Sequence, residues 1–497
     1  MDAGSAGVLV TLLLLSILWF LVWRTGRMRR QLPPGPAPWP ILGNLWQKDV
    51  VPLHRTHVKL SSTYGPIFTI WPGLKPAVVL CGYEVVKDAL LGHSEEFGGR
   101  PEIPLLMQLS KNYGFLSNDE EKWRELRRFT LSTLRDFGMG KNSMSQRVQE
   151  EVQHLVKQLE KLEGSTFVPM TMFRYAVANV ICSVVFGSRY SYSDMAFLEL
   201  LNAIGNYISF FASPFAMVYN AFPNIMNHLP GPHRKALAEC EKLKDYIRER
   251  VELHKLTLDP SCPRDYIDCF LLRAEKGKSS PDTMYGNEDL VMSVFNLFGA
   301  GTVTTSNLLV FFLLVLAKHP HIQAKVQEEI DAVVGAGRAP RTEDKLRMPY
   351  TNAVIHELQR LHKTRIENFP RMMTQDIVFR GHTIPKGTAV IPIFSSVHTD
   401  PSQWENPQEF YPGHFLDEKG EFRKREAFMP FSVGKRMCPG EALARIELFL
   451  FLTTLLQSFT FQMAVEYEEM DLFSLWIEIE RRAVPGEFFA IRRTVSS

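Results

Sequence analysis

A single cysteine stands in FSVGKRMCPG, residues 431–440, between Gly434 and Gly440 and beside Lys435 and Arg436. The two glycines permit backbone geometry and close approach that a Cβ would block. The apolar run CPGEALARIELFLFLTTLL begins at this sulfur, and a helix amino terminus and nearby cations both favour thiolate over thiol. Cys438 is therefore predicted to be an ionised sulfur held close to something flat; a buried, inert cysteine beside a glycine turn is the plainer alternative. A second group able to do chemistry lies in GAGTVTTSN. There Thr304 follows Ala300 by four residues, with Asn296 one turn further back, so the three share a helix face. A threonine hydroxyl at such a place can donate to bound oxygen and pass protons through water, or else bond back to the preceding turn. Finally, Glu357 and Arg360 stand three apart in HELQR, close enough to pair along one helix.

These groups need long elements to hold them. Thr304 falls in the middle of NEDLVMSVFNLFGAGTVTTSNLLVFFLLVLAK, residues 287–318, closed by Pro320. As a helix it would be about 48 Å long at ~1.5 Å per residue. It is apolar on all sides and so is predicted to be buried; Asn296, the GAGT break and TTSN argue against a second membrane span. Helical spacing of apolar residues recurs in EKWRELRRFTLSTLR, RVQEEVQHLVKQLEKL, HIQAKVQEEIDAVVG and TNAVIHELQRLH. IFTIWPGLKPAVVLCG, residues 67–82, reads as a β-hairpin, and residues 376–394 are strand-like. The expected fold is one large, mainly α domain with a minor β region, spanning residues 46–497.

The amino terminus differs from the rest. VLVTLLLLSILWFLVW, residues 8–23, approaches with Ala6 and Gly7 the ~20 apolar residues that cross a bilayer. The basic RTGRMRR follows this run and only Asp2 precedes it, the pattern of an uncleaved anchor over residues 6–23 whose carboxyl side is cytosolic. Residues 24–45, basic and then proline-rich in QLPPGPAPWPILGNL, read as a stiff linker. Six cysteines without CxxC pairs exclude a disulfide framework and a zinc ribbon, and a net charge of +2 gives no argument for nucleic acid. No G-x-G-x-x-G fingerprint is present, so the chain is not expected to bind a nicotinamide itself.

FSVGKRMCPG resembles the haem-thiolate signature of the cytochrome P-450 superfamily, with Phe431, Gly434, Arg436, Cys438 and Gly440 at the signature spacing. HELQR resembles its E-x-x-R pair, AGTVTTS its oxygen-binding stretch, and WRELR its haem-clamping W-x-x-x-R; all fall in the family's order, and vertebrate microsomal family 2 enzymes are the nearest in pattern. The resemblance implies the cytochrome P-450 fold, haem b (iron protoporphyrin IX) with Cys438 as axial iron ligand, and propionates gripped by Trp123, Arg127, Arg436, Arg371 and Arg100. It implies that Glu357, Arg360 and His414 lock the fold, that Thr304 and Ala300 serve catalysis, and that Asn296, Phe298 and Val303 line or adjoin the pocket. Arg365, in place of the usual apolar turn, is expected to anchor an acidic head group. The implied activity is monooxygenation of lipophilic xenobiotics, fatty acids or steroids on the cytosolic face of the endoplasmic reticulum membrane. NADPH would act only through a flavin reductase, docked on cations including Arg124, Arg128, Arg135, Lys141, Lys424, Arg425 and Lys435, with cytochrome b5 a further partner. The apolar residues 209–233 are expected to touch the bilayer. Val303, where the family usually has an acid, keeps a reductase-independent isomerase or dehydratase open, and a non-catalytic haem sensor is the rival from another class. Thr304 and the basic segments count against both.

Overall fold

The apolar amino-terminal run starts a helix that continues past its last apolar residue. The computed structural model describes all residues except 1–2, 117–119, 139–141, 278–283, 363–368, 466–470, 481–485 and 495–497. In it the helix spans Ala3–Arg29, so Arg24, Arg27 and Arg29 prolong the anchor helix where the sequence suggested that the linker begins. Residues 11–20 are exposed throughout, an apolar surface that needs an apolar surrounding.

The proline-rich arm is bound to the domain. The Thr69 N–H donates to Pro34 O at 2.9 Å and its hydroxyl to Pro33 O at 2.8 Å. Ten residues on, the Trp71 N–H donates to Asn44 Oδ1 at 2.6 Å. A Cβ on Gly35 would collide with the Thr69 carbonyl, so only glycine lets the arm lie this close.

Among the described residues, nine short strands form three sheets. β1 (Ile67–Ile70) and β2 (Ala77–Leu80) make the expected hairpin, with Ile67 opposite Leu80. β3 is Thr166–Phe167, β4 Arg371–Met372, β5 Ile377–Phe379, β6 His382–Ile384, β7 Ala389–Pro392, β8 Phe459–Met463 and β9 Phe488–Arg492. The largest sheet has the order β1-β2-β7-β4. β7 runs parallel to β2, and β4 pairs antiparallel with β7, Arg371 opposite Val390. This register carries Arg371 to the sheet edge.

The rest is helical. The central helix, Asn287–Lys318, is packed by helices Pro169–Val185, Met195–Phe211, Pro232–Thr257 and Glu441–Ser458. It is long and apolar enough to cross a membrane, but its apolar surface is covered by these neighbours. Residues 290–299 are all buried, after which Ala300 and Thr304 alone on the next two turns are exposed. A four-residue spacing of exposed positions within a buried helix marks a notch on one face. Residues 209–233 divide between two roles: Ala216, Tyr219 and Met226 enter the core, while Ile225 is 62% exposed and Leu229 also projects.

Candidate active site

Cys438 closes a tight loop. Its N–H donates to Phe431 O at 2.9 Å. The turn between them needs Gly434, whose φ is +75° and whose Cβ would collide with Leu90 O. Gly440 adopts an ordinary φ of −90°, and a Cβ there would lie 3.8 Å from Sγ, so its small size keeps that flank of the sulfur low. The N–H groups of Gly440 and Glu441, at the start of helix Glu441–Ser458, lower the Cys438 pKa, as does Arg127. Burial acts in the opposite sense and is the larger effect, and the Glu441 carboxylate adds to it, so the thiol lies above its ordinary value. In the metal-free chain the helix end and Arg127 thus pull toward thiolate and burial outweighs them. Lys435 pairs with Glu95, and the Arg436 guanidinium is turned to Gly98 O at 2.9 Å and to the Trp123 ring, 3.6 Å from its centroid. Ionisation would have to come from a bound metal, which deprotonates a coordinating thiol outright.

Three guanidiniums gather around this loop. Arg127, on helix Glu120–Asp136, donates to Met437 O at 2.5 Å and lies 5.8 Å from the centroid of Trp123. Arg371 is buried at the edge of β4 and donates through Nη2 to Ser432 Oγ at 2.8 Å. Its Nε and Nη1 are buried without a hydrogen-bond partner among the described residues. Burial, then Arg436 and Arg127, push its pKa down to about 9. Buried like charges with unmet donors are costly, and planar forks of this kind match carboxylates. The site thus fits a flat group that carries carboxylates beside a metal-binding sulfur. Arg100 stands further off, giving Nη1 to Pro370 O at 2.7 Å and its face to Phe369. Gly99 pairs with Met372 on both sides, which ties this segment to β4.

Glu357, Arg360 and His414 meet and are sealed from solvent. Arg360 donates to Glu357 through Nε (2.8 Å) and Nη2 (2.7 Å), and to the carbonyls of His398, Pro407 and Glu409 at 2.6–2.8 Å. His414 Nε2 accepts from Asn406 N, which makes its Nδ1 the donor to Glu357 at 3.1 Å. The Tyr411 N–H completes the carboxylate shell at 2.9 Å.

On the central helix the Thr304 hydroxyl donates back to Ala300 O at 2.7 Å. Asn296 lies on the same face, its Oδ1 accepting from Leu116 N–H at 3.4 Å. Two of the expected pocket residues are buried. Phe298 is wholly buried with its ring against Phe186 and Phe197, and Val303 is buried in the same core. At 100° per residue Phe298 points some 160° away from Ala300, toward neighbouring helices. Arg365 and Lys141 lie outside the described residues. Of the expected docking cations, Arg128 pairs with Glu125, Lys435 with Glu95 and Arg425 with Glu405, leaving Arg124, Arg135 and Lys424 exposed.

Sequence reasoning missed the ties that hold the segment before residue 117. Asp289 accepts from Gly114 N–H at 3.1 Å and pairs with Lys122 at 2.7 Å. Asn220 caps the start of helix Pro104–Ser110 at Leu105 N, and Lys244 reaches Leu109 O at its end. The seven-residue spacing of Asp289 and Asn296 was the available signal, since it puts both on one helix face. Also missed was Glu447, fully buried on helix Glu441–Ser458 and hydrogen-bonded to Thr305; burial raises its pKa to about 8.

A glycine-turned thiol loop, a buried guanidinium cluster and a notched central helix in a mainly helical domain define the haem-thiolate oxygenase class. The chain belongs to that class by sequence as well: the family model described as Cytochrome P450 matches residues 33–483, and the chain is a member of this monooxygenase family. It is 46% identical over 465 residues to cytochrome P450 2C5 of Oryctolagus cuniculus, covering 94% of this chain and 95% of that one. Cytochrome P450 2C16 of the same species is 47% identical over 465 residues (94% and 95%), and cytochrome P450 2C8 of Homo sapiens 46% over 452 (91% and 92%). The family carries haem and oxidises lipophilic substrates, and the apolar amino-terminal helix suits a membrane anchor.

Proposed function

We propose that the chain hydroxylates or epoxidises lipophilic xenobiotics, fatty acids or steroids on the cytosolic face of the endoplasmic reticulum. Its electrons would come from NADPH through a separate flavin reductase, with cytochrome b5 as a further donor. The prosthetic group would be haem b, with Cys438 as its axial ligand. Trp123, Arg127, Arg371 and Arg436 would hold the propionates, with Arg100 behind them. The observation that carries this reading is Arg371: a buried guanidinium with two unmet donors, repelled by Arg127 and Arg436, is stabilised by an anion set next to a thiol.

Bound haem would supply dioxygen activation, and the chain's part is to place a substrate and a proton. The Thr304 hydroxyl donates to Ala300 O, so its O–H would have to rotate about the Cβ–Oγ bond before it donates into the notch. Val303 is apolar and buried, so proton delivery would rest on Thr304 and water without an acid at the preceding position. Asp289 and Asn296 hold the segment over the notch, and Ile225 and Leu229 give lipophilic molecules an apolar approach from the bilayer. The test is the carbon monoxide difference spectrum of the reduced, full-length protein in detergent. A strongly red-shifted Soret band that disappears in Cys438→Ser is expected; an unchanged band in that variant would remove the thiolate assignment.

A further inference from the structure

We propose that a cavity between the end of the anchor helix and the first sheet binds a phosphate ester, the phosphomonoester at the tip of an anionic lipid headgroup.

The cavity measures about 250 Å³, and its walls include Arg29, Pro33, Pro34, Tyr64, Thr69 and Trp71. That is below the ~300–1,000 Å³ of pockets for drug-sized molecules. No residue of the cysteine loop or the central helix lines it.

Donors converge on this space and no acid does. Arg29, exposed at the last position of its helix, makes one long contact, from Nη2 to Gly35 O at 3.4 Å, and no ion pair among the described residues. Trp71 is 1% exposed, yet its indole N–H has no partner among the described residues and is not sealed from solvent. An indole nitrogen can only donate, so this N–H opens without an acceptor into the space that Trp71 lines. The Tyr64 hydroxyl has no partner among the described residues either. Nearby acceptors are already engaged: Pro33 O and Pro34 O by Thr69, and Gly35 O by Arg29. A guanidinium, an indole N–H and a phenol with no carboxylate among them match the oxygens of an anion. The walls of Pro33, Pro34 and Trp71 would strip a bare ion of water without replacing it, so the occupant carries carbon beside its phosphate.

The height of the cavity selects the ester. The apolar run of the anchor helix ends at Trp23, and Arg29 lies about 9 Å further along the axis. With that run in the hydrocarbon core, whose headgroup layers are ~5–7 Å deep on each side, the cavity opens at their outer edge. The diester phosphates of common lipids lie deeper; a monoester on an inositol ring stands at this level. It also carries about −1.5 to −2 charge at pH 7, which attracts the cavity's single guanidinium more strongly than a diester does.

The test is isothermal titration calorimetry of the haem-loaded, full-length protein in detergent at about pH 7. Its soluble probes are dihexanoyl phosphatidylinositol 4-phosphate, dihexanoyl phosphatidylinositol and inorganic phosphate. The first should saturate a single site and bind at least tenfold more tightly than the other two. Arg29→Gln should weaken it at least tenfold, and Trp71→Phe, which keeps a ring but loses the N–H, about tenfold. Arg24→Gln removes an equal charge outside the cavity and should leave the affinity unchanged. Equal losses in Arg24→Gln and Arg29→Gln would overturn the site in favour of diffuse attraction to the basic segment. Equal affinity for inorganic phosphate would overturn the lipid as the source. No saturable binding of the monoester probe, or wild-type affinity in Trp71→Phe, would overturn the assignment outright.

Discussion

Arg360 and Arg371 lie eleven residues apart and are buried to 1% and 3% exposure, yet their surroundings have little in common. Arg360 spends its donors on Glu357 and three carbonyls and faces the Trp404 ring. Arg371 has one engaged nitrogen, two unmet ones, and two cations for company. A buried charge with every donor matched is part of the fold, whereas one left partly unmatched is expensive until something binds. The first cluster is complete in the polypeptide; the second becomes complete with an anionic ligand.

The largest effect should come from breaking the complete cluster. Glu357→Ala leaves Arg360 buried with no counter-charge, at a cost of about 3–5 kcal/mol, a large fraction of a domain's whole stability. Circular dichroism and thermal melting should find little folded protein, with or without haem. A melt within two degrees of wild type would show that the cluster is dispensable. Arg371→Leu should act with the opposite sign on the haem-free protein, raising its stability by about 1–3 kcal/mol as an unmet charge is removed. The same variant should lose haem at least tenfold faster to a scavenger such as apomyoglobin, because a charge-assisted pair is gone. Destabilised haem-free protein with normal haem retention would place Arg371 with the structural cluster.

The smallest effect concerns Glu447, a buried acid whose partner is a hydroxyl and beside which no cation lies among the described residues. Its folded pKa of about 8 lies above the ordinary carboxyl value of 4.5. The proton is thus held more tightly in the folded state, and the stability this contributes is full below about pH 4.5 and is lost as pH rises toward 8. Between pH 5 and 8 the wild-type melting temperature should fall by a few degrees more than that of Glu447→Gln. Parallel curves would mean that Glu447 does not titrate in this range.

The features that sequence made legible are the local ones. Gly434 announces a positive-φ turn before Cys438, Glu357 and Arg360 are one helical turn apart, and the central helix shows its length and its polar break in composition alone. Arg371 could be named by resemblance, but its unmet nitrogens depend on β4 meeting β7 and on a distant serine, a pairing that no local pattern encodes. The balance at Cys438 was half legible for a related reason: helix end and cations are visible in sequence, while burial, the larger influence in the metal-free chain, is not. Phe298 was a failure of arithmetic, since the helical period already turns it from Ala300. Asp289 lies in the first turn of its helix, with nothing nearby in sequence to announce Gly114 or Lys122.

The clasped proline arm limits how the domain can move. As a free flexible tether, the fifteen residues 31–45 would allow excursions of roughly 20 Å. Pro33 and Pro34 are already fastened to Thr69, so only Arg30, Gln31 and Leu32 separate the anchor helix from the folded body. Three residues reach about 10 Å at most. With the helix in a bilayer, the domain would be leashed against the headgroups and unable to tumble, and meeting a partner on the same membrane becomes a search in two dimensions.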